Sequence, residues 1–412
     1  MSRATSNFKS NLKTCLRRPF ARLGLSILVV AAIALFSNSA AISSQGDLLT
    51  DVQALVGLGA RVAGTATAEK ASQYLVNAYR KAGYETEIQT LTYPKFRDLG
   101  STLAVDDRPL DGWVYHGTIA GQVTGRLVAI PNDGQPQDYA GTAVKGAIAI
   151  ARRGGMTFSE KVKYAAEAGA IAIIIVNNEP KNVRGSLTSS PAIPVLGLSG
   201  AEGEPLMARA RTASLTAKLN VNTQKNALAR NVIAHLPGVN QPSLIVGGHY
   251  DSVVGSPGAN DNASGTAVVL AIARQLSGSP LAQQLWFIAF DGEEDGLKGS
   301  QAFVERSSPQ FLAKLKGMVN FDMVGVNDAL QGEGSLSLKP FTTVDETMMK
   351  NPALRLGSSD HAPFKSQNVP TLFFNRGYEP NYHTPNDTAI VPRLLRETQE
   401  TALKAIAQIL KQ

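Results

Sequence analysis

"SLIVGGHYDSVVGSPGANDNASGTAVVLAIARQLSG", residues 243–278, decides the fold. An apolar run, 244–246, leads into two glycines and ends on His249 and Asp251. A loop of small residues follows and holds Asp261 between Asn260 and Asn262. Beyond it, "ASGTAVVLAIARQL" places apolar residues at helical spacing. Strand, loop and helix form the repeating unit of an α/β sheet. A strand with almost no polar alternation belongs in a sheet covered on both faces. In such sheets ligands bind at the carboxyl ends of strands, where this strand puts its imidazole and carboxylate.

The unit recurs further along the chain. "QQLWFIAFDGEE", "KGMVNFDMVG" and "VPTLFFNRG" predict strands, and "GSQAFVERSS" and "PRLLRETQETALKAIAQILKQ" predict helices. Upstream, "DLLTDVQALVGLG" and "TAEKASQYLVNAYRKAG" predict two more helices, the second stopping at Gly83. The expected fold is α/β: a mixed, mostly parallel sheet with helices on both faces. Residues 100–212 have another texture, with short apolar runs broken by Gly, Pro and Asp around one helix, "FSEKVKYAAEAG". They predict a small inserted α/β domain. The expected organisation is a leader at 1–41, a discontinuous main domain at 42–104 and 213–412, and an insert at 105–212.

Charge and cysteine narrow the functional classes. The 412 residues carry a formal +7. Six of those charges are Arg3, Lys9, Lys13, Arg17, Arg18 and Arg22, in a leader with no acid, so the remainder is nearly neutral. That balance gives no footprint for nucleic acid. The basic leader runs into "LGLSILVVAAIALF", residues 23–36, and then "SNSAA". These are the three parts of an export signal, with cleavage expected after Ala41. The run is short for a membrane span of about 20 residues. An uncleaved anchor through 23–36 is the rival reading. The single cysteine, Cys15, lies in the leader, so an exported mature chain would have neither disulfides nor thiolate chemistry.

The strand ends carry the chemistry. His249 and Asp251 follow the first strand, Asp291, Glu293 and Glu294 the second, Asp322 the third, and His383 the fourth. Singly, each has an ordinary reading: Asp261 as a turn or helix cap, Glu293 and Glu294 as a solvated acidic loop, His383 as loop. Together they gather imidazole and carboxylate at one edge, and an ionised aspartate inside the apolar run around Asp322 is costly unless paired or on metal. The set fits zinc, although cobalt or manganese would accept similar ligands. Two zinc ions would need a bridging carboxylate. Asp261 is expected to bridge, with His249 and Asp322 on one ion and Glu294 and His383 on the other. Asp251 is expected to accept the other N–H of His249. Glu293 is the spare carboxylate and so the general base. Tyr382 is placed to donate to a developing oxyanion.

"GGHYDS", "GANDNASG", "FDGEEDGLKGS", "NFDMVG", "SSDHAPF" and "YHTPND" resemble, in order, the motifs of the co-catalytic zinc aminopeptidases. That family also holds glutamate carboxypeptidases and glutaminyl cyclases. The resemblance implies a zinc exopeptidase fold and an exported metalloprotease, a hydrolase removing N-terminal residues from peptide substrates with a two-zinc activated water. It implies the same ligands and the same base, and puts Asp360 and His361 close to the site. Alternatives are a carboxypeptidase or glutaminyl cyclase on the same scaffold, or an inactive binding ectodomain. "VKGAIAIARRGGMTFSEKVKYAAEAGAIAIIIVNN" resembles a protease-associated domain, which implies a role in substrate access or simple stabilisation.

Overall fold

The computed structural model describes residues 48–336 and 358–412. The leader expected at 1–41 and the segment 337–357 lie outside the described residues. Among the described residues no helix is long and apolar enough to cross a membrane.

The chain opens with helix α1 (48–57). Helix α2 (Ala66–Lys81) follows, with the Thr65 hydroxyl accepting the Ala68 N–H as its N-cap. Its Ala71, Leu75 and Tyr79 fall on one buried face. The stop comes where expected, with Gly83 at φ +91°, a conformation glycine adopts freely. Strand β1 (Glu85–Asp98) then pairs antiparallel with β10 (Thr223–His235).

Between β1 and β10 the chain builds a separate sheet. Asp98 and Thr223 are register partners, so this excursion leaves and returns at one place on the main sheet. Its strands are β2 (Thr102–Val105), β3 (Arg108–Leu110), β4 (Trp113–Val114), β5 (Gly121–Ala129), β6 (Ile148–Arg152), β7 (Ala172–Val176), β8 (Val195–Leu198) and β9 (Leu215–Val221). They lie in the order β3-β2-β9-β5-β6-β7-β8-β4, parallel from β5 to β8. Helices α3 (Phe158–Glu167) and α4 (Gly200–Thr212) feed separate buried clusters around this sheet. Its strands span 102–221, a stretch that contains the expected 105–212.

The main sheet has seven strands in the order β1-β10-β12-β11-β13-β15-β14. Its centre is β11 (Leu244–His249), β12 (Leu285–Phe290), β13 (Gly317–Phe321) and β15 (Thr371–Asn375), all parallel; β14 (Gln331–Gly334) closes the edge antiparallel. Successive residues on a strand point to opposite faces. Leu244, Val246, Phe287, Val319 and Phe374 therefore join α2, α5 (Gly265–Leu276) and the closing helix α9 (Pro392–Lys411). Ile245, Ile288, Phe290 and Met318 pack on the other side against Phe303 of α6 (Lys298–Arg306), Leu312 of α7 (Pro309–Ala313) and Phe364 of α8 (His361–Ser366). Both faces are covered, which is why these strands read as unbroken apolar runs.

Candidate metal centre

The parallel strands deliver their carboxyl ends to one edge. His249 ends β11, Asp322 follows β13, and Glu293 and Glu294 stand just past β12. The loop between β11 and α5 packs onto β13 without a gap. A Cβ on Gly265 would meet the Phe321 carbonyl oxygen at 2.4 Å, and one on Gly248 would meet it at 2.6 Å. Glycine at both positions lets the Asp261 loop lie against the strand that carries Asp322.

Asp261 occupies the middle of the cluster. Its Oδ1 lies 3.3 Å from His249 Nε2, and its Oδ2 lies 3.1 Å from His383 Nε2. Asp322 Oδ1 is 3.3 Å from the same His249 nitrogen. Glu294 Oε2 is 2.9 Å from the His383 nitrogen. Each histidine thus faces one Asp261 oxygen and one further carboxylate. Donor atoms of His249, Asp261 and Glu294 fall within 4.8 Å of one another, as do those of His249, Glu293 and Asp322. Glu293 therefore reaches the cluster as well.

The donor set fits a cation on its own chemistry. His249 Nε2, Glu294 Oε1 and Asp322 Oδ1 are buried without a hydrogen-bond partner, and orphaned buried polar atoms are costly. Protons respond to the crowding. Burial, reinforced by Asp322, Asp360 and Glu294, pushes Glu293 up to about 10, against the pull of His249. Burial and the Asp261 carboxylate push Glu294 up to about 7. Burial lowers the His383 imidazole, but Asp261 and Glu294 outweigh it and hold His383 up at about 10. His249 is likewise raised by Asp322 and Glu293 despite its burial. Carboxylates that retain protons beside imidazoles that retain theirs form a site short of positive charge, which metal ions supply.

The neighbours hold the donors in place. The Asp251 carboxylate accepts the N–H groups of Glu293 at 3.2 Å and of Glu294 at 3.3 Å. Its Oδ1 stands 3.5 Å from His249 Nδ1, and its backbone carbonyl 3.3 Å from the same atom. A proton on Nδ1 leaves Nε2 free to face the cluster. The Tyr382 ring stacks on His383 at 3.7 Å, with Tyr378 edge-on at 5.0 Å. Burial and the Asp261 and Glu294 carboxylates push the Tyr382 phenol well up, so it keeps its proton and remains a donor. Asp360 is fully buried and pushed up to about 7 by burial, with Asp251 and Asp322 adding to the shift. His361 turns aside and stacks on Phe373 at 4.6 Å. Neither Asp360 nor His361 belongs to the two donor groups.

The pattern of Peptidase family M28 matches residues 231–406, and that of the PA domain matches residues 123–206. Aminopeptidase YwaD of Bacillus subtilis (strain 168) is 33% identical over 360 residues, covering 80% of this chain and 76% of that protein. The chain belongs to peptidase family M28. A probable lipoprotein aminopeptidase, LpqL, of Mycobacterium tuberculosis is 34% identical over 278 residues, and this chain spans 55% of its length. Among solved structures, the zinc aminopeptidase BSAP from Bacillus subtilis is 29% identical with a TM-score of 0.54, covering 88% of this chain and 94% of that one. An aminopeptidase from Aneurinibacillus sp. strain AM-1 is 30% identical with a TM-score of 0.50, covering 89% and 93%. This M28 chain, with its PA domain insert, is a metallo-aminopeptidase.

Three residues around the M28 site were not singled out from the sequence. Asp387 accepts the N–H groups of Asn260 at 2.7 Å and of Asp261 at 3.0 Å. Asn262 accepts from the Gly265 and Met323 N–H groups and donates to the Phe321 carbonyl, tying the Asp261 loop to the Asp322 strand. Both stand inside quoted motifs, "YHTPND" and "NDNASG", and adjacency to a proposed ligand was the available signal. Arg61 lies between the two N-terminal helices, and no role for it is read from the sequence. It is fully buried. Its guanidinium donates to the carbonyls of Tyr250 at 2.6 Å, Gly258 at 2.8 Å, Leu55 at 3.4 Å, and Pro257. Burial lowers it to about 10, while Asp251, Asp261, Asp387 and Glu294 favour its charge. The "RRGG" arginines stay within the insert: Arg152 pairs with Glu204, and Arg153 donates to Asn177.

Proposed function

We propose that the protein is an exported aminopeptidase that removes N-terminal residues from peptides with a water activated between two zinc ions. The catalytic domain is taken as the chain up to β1 and from β10 onward, because β2 and β9, at the ends of the expected 42–104 and 213–412, pair within the insert's sheet. The observation that carries the two-metal reading is Asp261, whose two oxygens face different histidines. In this reading Asp261 would be the residue shared between the ions, His249 and Asp322 would help hold one, and Glu294 and His383 the other. Bound zinc supplies Lewis acidity and lowers the pKa of water.

The remaining chemistry belongs to the chain. Glu293 takes the water's proton on its carboxylate and returns it to the leaving amine. Its carboxylate, with that of Asp322, holds the substrate's free amine. Tyr382 donates its phenolic proton toward the carbonyl oxygen as charge develops there. Asp251 and Asp387 keep the donor loops in register through the backbone N–H groups they accept. Export is supported by the basic and apolar leader and by the lipoprotein designation of LpqL. N-terminal sequencing of the mature protein separates cleavage after Ala41 from an anchor retained through 23–36.

The deciding experiment is hydrolysis of aminoacyl anilides and N-blocked peptides by the purified chain, with metal content measured on the same sample. Cleavage of free-amine substrates only, abolished by chelator, with close to two zinc ions per chain, is the expected result. Cleavage of N-blocked peptides at the carboxyl end would replace the reading with a carboxypeptidase. One zinc per chain would overturn the bridging role of Asp261.

A further inference from the structure

Three cavities adjoin one another, each sharing lining residues with the next, and give a candidate path away from Glu294. The first, about 360 Å³, is lined by Glu294, Asp295, Val254, Lys95 and Arg97. Lys95 also lines the second, about 410 Å³, together with Phe96, His116, Ser189 and Lys225. Leu187 and residues 188–190 continue from there into a third, about 640 Å³, between α3 and the 187–192 loop of the insert. The path thus begins beside a donor carboxylate, crosses the place where the insert joins β1 and β10, and ends on the insert.

Its charge changes along the way. In the first cavity the Asp295 carboxylate is shared. It accepts the Tyr93 hydroxyl at 2.7 Å and pairs with both Lys95, at 2.9 Å, and Arg97. Asp98 and Glu294 line this cavity as well, so three carboxylates face two cations there, and the cavity is acid-rich. The second cavity has Lys95, Lys225 and His116 and no acid among its lining residues. Lys225 is exposed and stands next to Asn226, the register partner of Pro94, so the two lysines come from neighbouring strands. A cleft lined by one sign of charge concentrates ligands of the other sign.

We propose that this path carries the substrate chain beyond the scissile bond, and that Lys225 and Lys95 select peptides with a carboxylate there. The carboxylate is a C-terminal α-carboxylate or an acidic side chain. The inference rests on the aminopeptidase reading. With the free amine held at Glu293 and Asp322, the rest of the peptide has to leave the centre, and the opening beside Glu294 leads to the lysines. An extended peptide advances about 3.3–3.6 Å per residue, so the preference belongs to one position downstream of the cut.

The test uses the metal-loaded full chain. kcat/KM is measured for leucine anilide and for peptides of about two to eight residues with N-terminal leucine. Each peptide is supplied as free acid and as amide, and with Glu or Lys at successive positions. A carboxylate at the right distance is expected to raise kcat/KM about five- to tenfold over amide or Lys and to lose that advantage in high salt. Free acid against amide isolates the α-carboxylate; internal Glu against Lys isolates the side chain. Lys225→Glu should reverse the preference and leave leucine anilide turnover unchanged. Equal rates for all peptides alongside normal anilide cleavage would overturn the inference alone, as would a preference that survives Lys225→Glu. Cleavage of neither anilide nor peptide would overturn the aminopeptidase reading, and this inference with it.

Discussion

Glu293 and Glu294 are adjacent in sequence yet serve different ends. Glu294 pairs with His383 at 2.9 Å, whereas Glu293 groups with His249 and Asp322. If Glu293 carries the proton, Glu293→Gln keeps the bound metal and lowers kcat by about 10²- to 10⁴-fold. Metal content and single-turnover rate on the same preparation check this, and near-normal turnover would end the assignment. Asp251 acts through other residues. Asp251→Ala strands two half-buried N–H groups and loosens His249, so metal affinity should fall about 10- to 100-fold, read by chelator competition. Both residues were legible as chemistry because "GGHYDS" and "FDGEEDG" place them at strand ends. That Asp251 holds the two N–H groups of Glu293 and Glu294 was not, since 42 and 43 residues separate the partners.

The loop between β11 and α5 is held from three directions. Asp387 grips its backbone, Asn262 ties it to β13, and Arg61 clasps its first half from the segment between α1 and α2. Arg61→Met would leave four carbonyl contacts unmade and remove a buried cation from among carboxylates. A loss of about 3 kcal/mol or more is expected, with weaker metal retention, measured by thermal unfolding before and after chelation. Unchanged unfolding in both states would reduce Arg61 to a filler. At α8, burial and nearby Lys365 press His361 down to about 4 from 6.5. The unfolded chain then binds the extra proton between those values, so stability falls as pH drops from about 6.5 toward 4. His361→Phe should flatten that part of the stability–pH curve, read by denaturant unfolding at several pH values. An unaltered acid limb would mean that His361 does not supply it. Helix limits and strand runs were readable from period and capping. The π-like turn at 259–264 before α5 was not, because its shape is held by partners on other elements.

For the molecule as a whole, the acidic cluster is a cost that metal offsets. Without a cation, burial and mutual repulsion hold Glu293 near 10 and Asp360 and Glu294 near 7. Acids raised in the folded state penalise folding increasingly as pH climbs above their unfolded values of about 4. The gap in thermal midpoint between loaded and chelated protein should therefore widen from about pH 5 to pH 8. A gap independent of pH would mean that the cluster carries no such penalty. Periodicity and turn residues in the amino-acid order were enough to specify the α/β class, the parallel strands and the polar residues at their ends, because local geometry sets which residues share a face and where a strand stops. The insert was legible as a change of texture between 100 and 212. Folding alone settled which groups meet. Arg61 beneath the loop, Asp387 on its backbone, and Asp295 against Tyr93, Lys95 and Arg97 are contacts between residues distant in the chain, and no local period encodes such distances.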